Sequence, residues 1–165
     1  MRLWIGISGR TLYNQFEIRN QAITLGKSIL QQETGLVTSI SRHQLKPFEN
    51  GNKNLGYCME VECFDKEALT RQTDHFINEK TSREQLAQVA IAELQKIGKE
   101  IGQFGKKIKK SPMQLPELET VLESAPIDIV HKEGSKQYLA SAIAAIGLRD
   151  MGNDGRCIWV SGLGH

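Results

Sequence analysis

TSREQLAQVAIAELQKIGKEIGQFGKKIKK, residues 81–110, is the stretch on which the reading of the whole chain turns. Leu86, Ala90, Leu94, Ile97, Ile101, Phe104 and Ile108 recur in it at steps of three and four. Such steps hold one narrow apolar stripe on a helix, so the spacing predicts a single long helix. Thr81-Ser82-Arg83-Glu84 opens it as a capping box, hydroxyl and carboxylate each satisfying an orphan amide. Lys106, Lys107, Lys109 and Lys110 close it before Ser111-Pro112. Gly98, Gly102 and Gly105 sit beside the stripe, each a cost of about 1 kcal/mol relative to alanine inside a helix. A second predicted helix, capped by Ser135, carries a matching strip of small residues at Ala140, Ala144 and Gly147. Two such strips let helix backbones approach closely enough for dispersion to offset the propensity loss. A break at Gly98 and a ligand touching the glycine backbone are the alternatives. The near-heptad spacing from Ala90 to Ile108 also admits a self-association seam.

Upstream, Arg2 to Ser8 alternates Leu3, Ile5 and Ile7 with Trp4, Gly6 and Ser8, the period of a half-buried strand. Gly9-Arg10-Thr11 turns the chain into a helix running to about Glu33, with a wide apolar face that includes Ile18, Ala22, Leu25 and Ile29. Gly35 stops it. Leu36 to His43 reads as the second strand, Leu36, Thr38 and Ile40 on one side and Val37, Ser39, Ser41 and His43 on the other. Residues 46–54, rich in Asn with one Pro and one Gly, form a connecting loop long enough to bind something. Leu55 to Phe64 is the third strand, pairing antiparallel with the second. Asp65 caps a helix to about Asn78; Pro116 opens a short acidic helix, and Ile127 to His131 and Arg156 to Ser161 read as further strands.

These elements predict an α+β fold: an antiparallel-rich sheet of about four strands in ferredoxin-like β-α-β-β-α-β order, with additional helices packed mainly on one face. The chain reads as a single domain over residues 1–165, with a strand-helix-hairpin half (1–64) and a helix-rich half (65–165) ending in a closing strand. That topology hosts many unrelated functions.

Net charge is only +2, but it is unevenly spread. Residues 1–54 and 82–110 each hold seven Arg or Lys against three acids, whereas 55–81 and 111–165 are acidic in balance. This leaves one candidate basic surface in a nearly neutral chain, well short of the excess of a dedicated nucleic-acid binder. No apolar run approaches the roughly 18 residues of a membrane span. Cys58, Cys63 and Cys157 are odd in number and lack metal spacing, which predicts free thiols in a cytoplasmic protein. The histidines are scattered, so no metal and no cofactor is expected.

Three sites stand out. Ser8-Gly9-Arg10-Thr11, at a strand-to-helix handover, offers backbone amides, a guanidinium fork and hydroxyls to a phosphate, although an ordinary turn has the same composition. Lys106, Lys107, Lys109 and Lys110 suit a polyanion, or simply complement a helix dipole. His43 would share a polar sheet face with Glu60 and Glu62, the minimum kit for proton transfer and equally the pattern of a solvated face. The reading favoured is a non-enzymatic, self-associating binding protein for nucleic acid or a nucleotide, through Arg10 and the lysines. A small nucleotide- or phosphoester-processing enzyme using His43 with Glu60 or Glu62, and a structural assembly subunit, are the alternatives.

Overall fold

The computed structural model describes residues 1–10, 17–81, 83–130, 134–152 and 155–160. In chain order the elements are β1 (Arg2–Ser8), α1 (Glu17–Gln31), β2 (Gly35–Leu45), β3 (Asn54–Cys63), α2 (Lys66–Lys80) and β4 (Gln88–Glu93). They are followed by α3 (Lys99–Lys110), α4 (Leu115–Ser124), β5 (Ile127–Ile129), α5 (Lys136–Asp150) and β6 (Arg156–Val160). The strands form one six-stranded sheet in the order β5-β4-β1-β3-β2-β6, every pair antiparallel. The α+β class and the antiparallel sheet are as expected; the strand number is larger.

The long helix over 81–110 does not exist. Thr81 ends α2, its hydroxyl donating back to the Ile77 carbonyl, so it opens no capping box. Residues 88–93 are a strand paired with β1 from Leu3↔Glu93 to Ser8↔Gln88, and the helix begins only after Gly98. A step of four keeps a residue on the same face of a helix and of a strand, so Leu86, Ala90 and Leu94 are ambiguous. Val89 and Ile91 break the tie: both are fully buried, on the face opposite Ala90 and Ala92. The order β-α-β-β-α-β is thereby completed at Glu93, and β6, expected as its closing strand, is instead the edge beyond β2.

Helices cover both faces of the sheet, not mainly one. Ile18, Ala22, Leu25 and Ile29 of α1 and Leu69, Phe76 and Ile77 of α2 pack on Leu3, Ile5, Ile7, Met59 and Val61. On the opposite face Ile101, Phe104 and Ile108 of α3, Leu118 of α4 and the body of α5 pack on Trp4, Cys58, Ala90 and Ala92. The stripe proposed as a self-association seam is therefore consumed inside the chain. A register shift between Val37 and Ser39 lets Val37 and Ile40 both enter the first core, and Leu36 is left exposed. The alternation expected for β2 misses that bulge.

α5 is buried all round from Tyr138 to Leu148, as an apolar helix must be. Its backbone meets the sheet at two glycines. A Cβ at Gly6 would collide with the Ala142 carbonyl, and one at Gly56 would lie 2.5 Å from the Ser141 oxygen. The small strips of α3 and α5 do face each other: a Cβ at Gly105 would lie 2.8 Å from the Ala144 oxygen, and one at Gly147 would collide with the Ile101 carbonyl. Gly98 plays no part in that contact; it caps α3 in extended conformation. All three cysteines are free, Cys58 and Cys63 buried and Cys157 exposed, and burial pushes the Cys58 thiol far up.

Gly147→Ala should therefore destabilise the fold by about 1–3 kcal/mol, the usual cost of forcing packed backbones apart. At Gly102 an added methyl meets only the flexible end of the Met151 side chain. Gly102→Ala should then lie within about 1 kcal/mol of the parent, since alanine's helix propensity offsets a small repacking. Urea unfolding of both variants checks the contrast; equal losses would contradict it.

Candidate functional site

The residues that can meet a ligand gather where β2 ends, β3 begins and α5 starts. Register places His43 opposite Gly56 and Leu45 opposite Asn54, while Ser8 at the end of β1 lies opposite both Gly56 and Gln88. Ser8, Ser41, His43, Asn54, Gln88 and Ser141 are buried polar residues. Each must find partners there, because an unpaired buried polar group costs as much as a lost hydrogen bond or more. The Ser8 hydroxyl donates to the Leu55 carbonyl at 2.6 Å. Ser41 Oγ lies 2.8 Å from His43 Nε2.

Asn54 does the most. Its Oδ1 accepts from the Ser141 hydroxyl at 2.5 Å and its Nδ2 donates to the Lys46 carbonyl at 3.1 Å, which ties the start of the 46–53 loop to α5. The Lys46 amide in turn donates to the Ile108 carbonyl in the last turn of α3, at 3.3 Å. At the loop's centre Phe48 packs edge-to-face on Tyr138, ring centroids 5.4 Å apart. The tip turns through Gly51, whose φ of +84° suits glycine, with the Asn52 amide donating to Asn50 Oδ1. The loop is thus long in sequence but held at three points.

Between this loop, the C-terminal end of α3 and the first turns of α5 lies a cleft of about 310 Å³. Pro47, Phe48, Ile108 and Met113 supply apolar wall; Asn50, Gln137 and Ser141 supply polar wall, and Lys46 and Glu49 charge. That volume is at the lower bound of small-molecule sites, roughly 300 Å³. Burial pushes the Tyr138 phenol up, and Gln137 and Arg10 act the other way. Arg10 itself follows Ser8 at the end of β1, the end where Gly56 and Gln88 lie opposite.

The expected sites fare differently. Ser8 is engaged with the Leu55 carbonyl, Gly9 follows it, and Arg10 is exposed with its amide donating to the Gln85 carbonyl at 2.5 Å. Thr11 lies outside the described residues. Lys106, Lys107, Lys109 and Lys110 are all exposed on α3, and Lys107 is paired with Glu117 of α4. Because Lys46 bonds to Ile108, this lysine-bearing end of α3 stands at the rim of the cleft.

His43, Glu60 and Glu62 do share one sheet face, yet they do not meet. Glu60 sits opposite Ser39, four residues from His43 along β2, or about 13 Å at the rise of a strand. Glu60 pairs instead with Arg2 and lies 4.0 Å from Arg149, and Glu62 pairs with the N-terminal ammonium at 3.1 Å. Among the described residues no cluster of three or more His, Cys, Asp or Glu could hold a metal ion. Nor does any described helix have the length and apolarity to cross a membrane.

No protein-family model matches the chain, and no curated protein matches it in sequence. Solved structures do match. TiaS in complex with tRNA, AMPCPP and agmatine superposes with a TM-score of 0.73 at 22% identity, over 89% of this chain and 36% of that one. Apo TiaS, a tRNA agmatidine synthetase, gives 0.72 at 22% identity, over 89% and 35%. A tRNA fluorescent labelling enzyme gives 0.69 at 20% identity, over 89% and 36%. The chain spans about a third of the length of these proteins, and at this identity the likeness is one of fold.

The anchoring role of Asn54 has a direct test. Asn54→Ala removes two hydrogen bonds, the one to the Lys46 carbonyl and the one from Ser141, whose hydroxyl keeps only the Gln137 carbonyl at 3.0 Å, and should cost about 1–3 kcal/mol, two bonds at roughly 0.5–1.5 kcal/mol each. It should also speed proteolytic cutting within residues 46–53 under conditions where the rest of the fold resists. Unaltered cutting would mean that the loop is held without it.

Proposed function

We propose that this chain binds a phosphate-bearing partner, nucleic acid or a nucleotide, at the rim of the cleft formed by the 46–53 loop, α3 and α5. The observation that carries the reading is the Lys46–Ile108 backbone bond, which sets the basic end of α3 beside that cleft. Lys106, Lys109 and Lys110 are exposed there, and ammonium groups so grouped gain free energy by releasing counterions from a polyanion. Lys107 contributes less, since Glu117 already neutralises it. Arg10 adds an exposed guanidinium at the same end of the sheet, two residues beyond Ser8 of β1. Further support comes from the fold: TiaS, which shares it, has been captured with tRNA together with AMPCPP or ATP.

An enzymatic version of this reading would place its chemistry at the cleft, because His43 is too far from Glu60 and Glu62 to exchange a proton directly. Self-association, if it occurs, uses a surface other than the stripe of α3, whose Ile101, Phe104 and Ile108 are buried.

Anisotropy titration of a labelled 12-nucleotide single-stranded RNA at several salt concentrations tests the proposal. The parent chain should bind with an affinity that falls as salt rises. Replacing Lys106, Lys109 and Lys110 together with Gln should weaken binding at low salt and reduce the log–log slope by about 2, the expectation for three lost phosphate contacts on a single strand. An unchanged slope would remove these lysines from the interface.

A further inference from the structure

We infer that the cleft receives the base of the bound nucleotide, with its phosphate outside against the α3 lysines; this rests on the phosphate-binding reading above and names what that site recognises. The direction follows from charge. Lys46 and Glu49 both line the cleft and offset each other, so the interior holds no net positive charge for a phosphate, whereas Lys106, Lys109 and Lys110 stand outside on α3 with no carboxylate among them. A neutral, flat, partly apolar group is what the interior suits.

The walls agree. At about 310 Å³ the cleft has room for a nucleoside but not for a folded peptide element. Phe48 and Pro47 present apolar surface, and Phe48 is fixed by Tyr138. A base gains by lying on such a surface because every base has a π-face. Gln137 and Asn50 bring carboxamides to the cleft, groups that match the mixed donor and acceptor edge of a base. The anchoring of the loop by Asn54, Phe48 and Lys46 means that little ordering remains to be done on binding. The base could belong to a free nucleotide or to an unpaired residue of RNA, and the test separates these sources.

Two variants fill the cleft from opposite walls: Gln137→Trp from α5 and Ser111→Trp from the end of α3, both replacing exposed side chains. Probes are the 12-nucleotide RNA, an abasic oligomer of equal length and charge, and adenosine, cytidine and AMP. The parent should bind the RNA about tenfold tighter than the abasic oligomer, the worth of one stacked base. Each filling variant should erase that difference while binding the abasic oligomer as the parent does; the triple Lys→Gln variant should weaken both oligomers alike. AMP binding that disappears in the filled variants would identify a free nucleotide as sufficient, and RNA binding without AMP binding would identify the unpaired residue; both outcomes uphold the inference. Equal parental affinity for the RNA and the abasic oligomer overturns it, as does retention of the difference in a filling variant that melts within a few degrees of the parent. If the parent binds neither oligomer, the phosphate reading has failed. Adenosine or cytidine then decides the cleft separately: nucleoside binding lost on filling upholds a base site, and no nucleoside binding overturns it.

Discussion

The structure depends on how closely the backbone of α5 lies against its surroundings. At Gly6 and Gly56 the sheet offers no side chain, so the Ala142 and Ser141 carbonyls rest almost on the strands. At Gly105 and Gly147 the same holds between α3 and α5. Glycine inside a strand or a helix forfeits packing and backbone entropy; four such positions around one helix show what that loss secures. With α5 seated in this way, all of its residues from Tyr138 to Leu148 are buried. Dispersion contacts from every side of the helix replace those the missing side chains would have made.

That seating also creates the candidate site. A helix held so near the sheet brings Ser141 within hydrogen-bonding reach of Asn54, the first residue of β3. The contact fixes where the 46–53 loop leaves the sheet, and the loop's remaining anchors, Phe48 on Tyr138 and Lys46 on Ile108, use α5 and α3 in turn. The cleft is the space left between the three. Its lining is partly polar because Asn54 and Ser141, the bonded pair, and Gln137 in the first turn of α5 all reach it, whereas the C-terminal half of α5 belongs to a core with apolar groups such as Trp4. Trp4 itself has a polar handle, donating to Asp150 at 2.9 Å.

Much of the fold is legible in the residues. β1, β3 and α2 follow from alternation and from the Asp65 cap, whose carboxylate accepts from the Ala68 amide; α5 follows from its start after Ser135 and its small strip. The stretch 81–110 misleads because a four-residue step satisfies two periodicities at once. The decisive signal was local and available: Val89 and Ile91 are β-branched, alternate with Ala90 and Ala92, and would face solvent on the helix that the stripe predicts. The site is less legible. The lysines and the Asn-rich loop stand out in composition, but the Asn54–Ser141 bond joins residues 87 apart in sequence, and no periodicity announces it. His43 and Glu60 show the reverse error. Sharing a face follows from period two; sharing a place along the strand requires the register, and the register separates them.

The two faces of the sheet differ in size of side chain more than in polarity, and this is why alternation alone does not announce helices on both sides. One face carries Leu3, Ile5, Ile7, Tyr57, Met59, Val61, Val89 and Ile91; the other carries Gly6, Ser8, Gly56, Cys58, Ser41, Ala90 and Ala92, with Trp4 and His43 as its large members. Alternation of large apolar with small or weakly polar residues resembles the inward and outward faces of a strand open to water. Here the small face is as buried as the large one, with Ser8, Ser41, Ala90 and Cys58 each at most 1% exposed. Large residues hold α1 and α2 at the distance their side chains set. Small ones admit α5 to near backbone contact. A solvated face would carry charge along its length, and on this face of β1 and β3 charge appears only at the far end, in Arg2, Glu60 and Glu62, beyond the reach of the α5 N-terminus. The scarcity of charge, more than the presence of Ser and Gly, is the mark of a face built for a second helical layer.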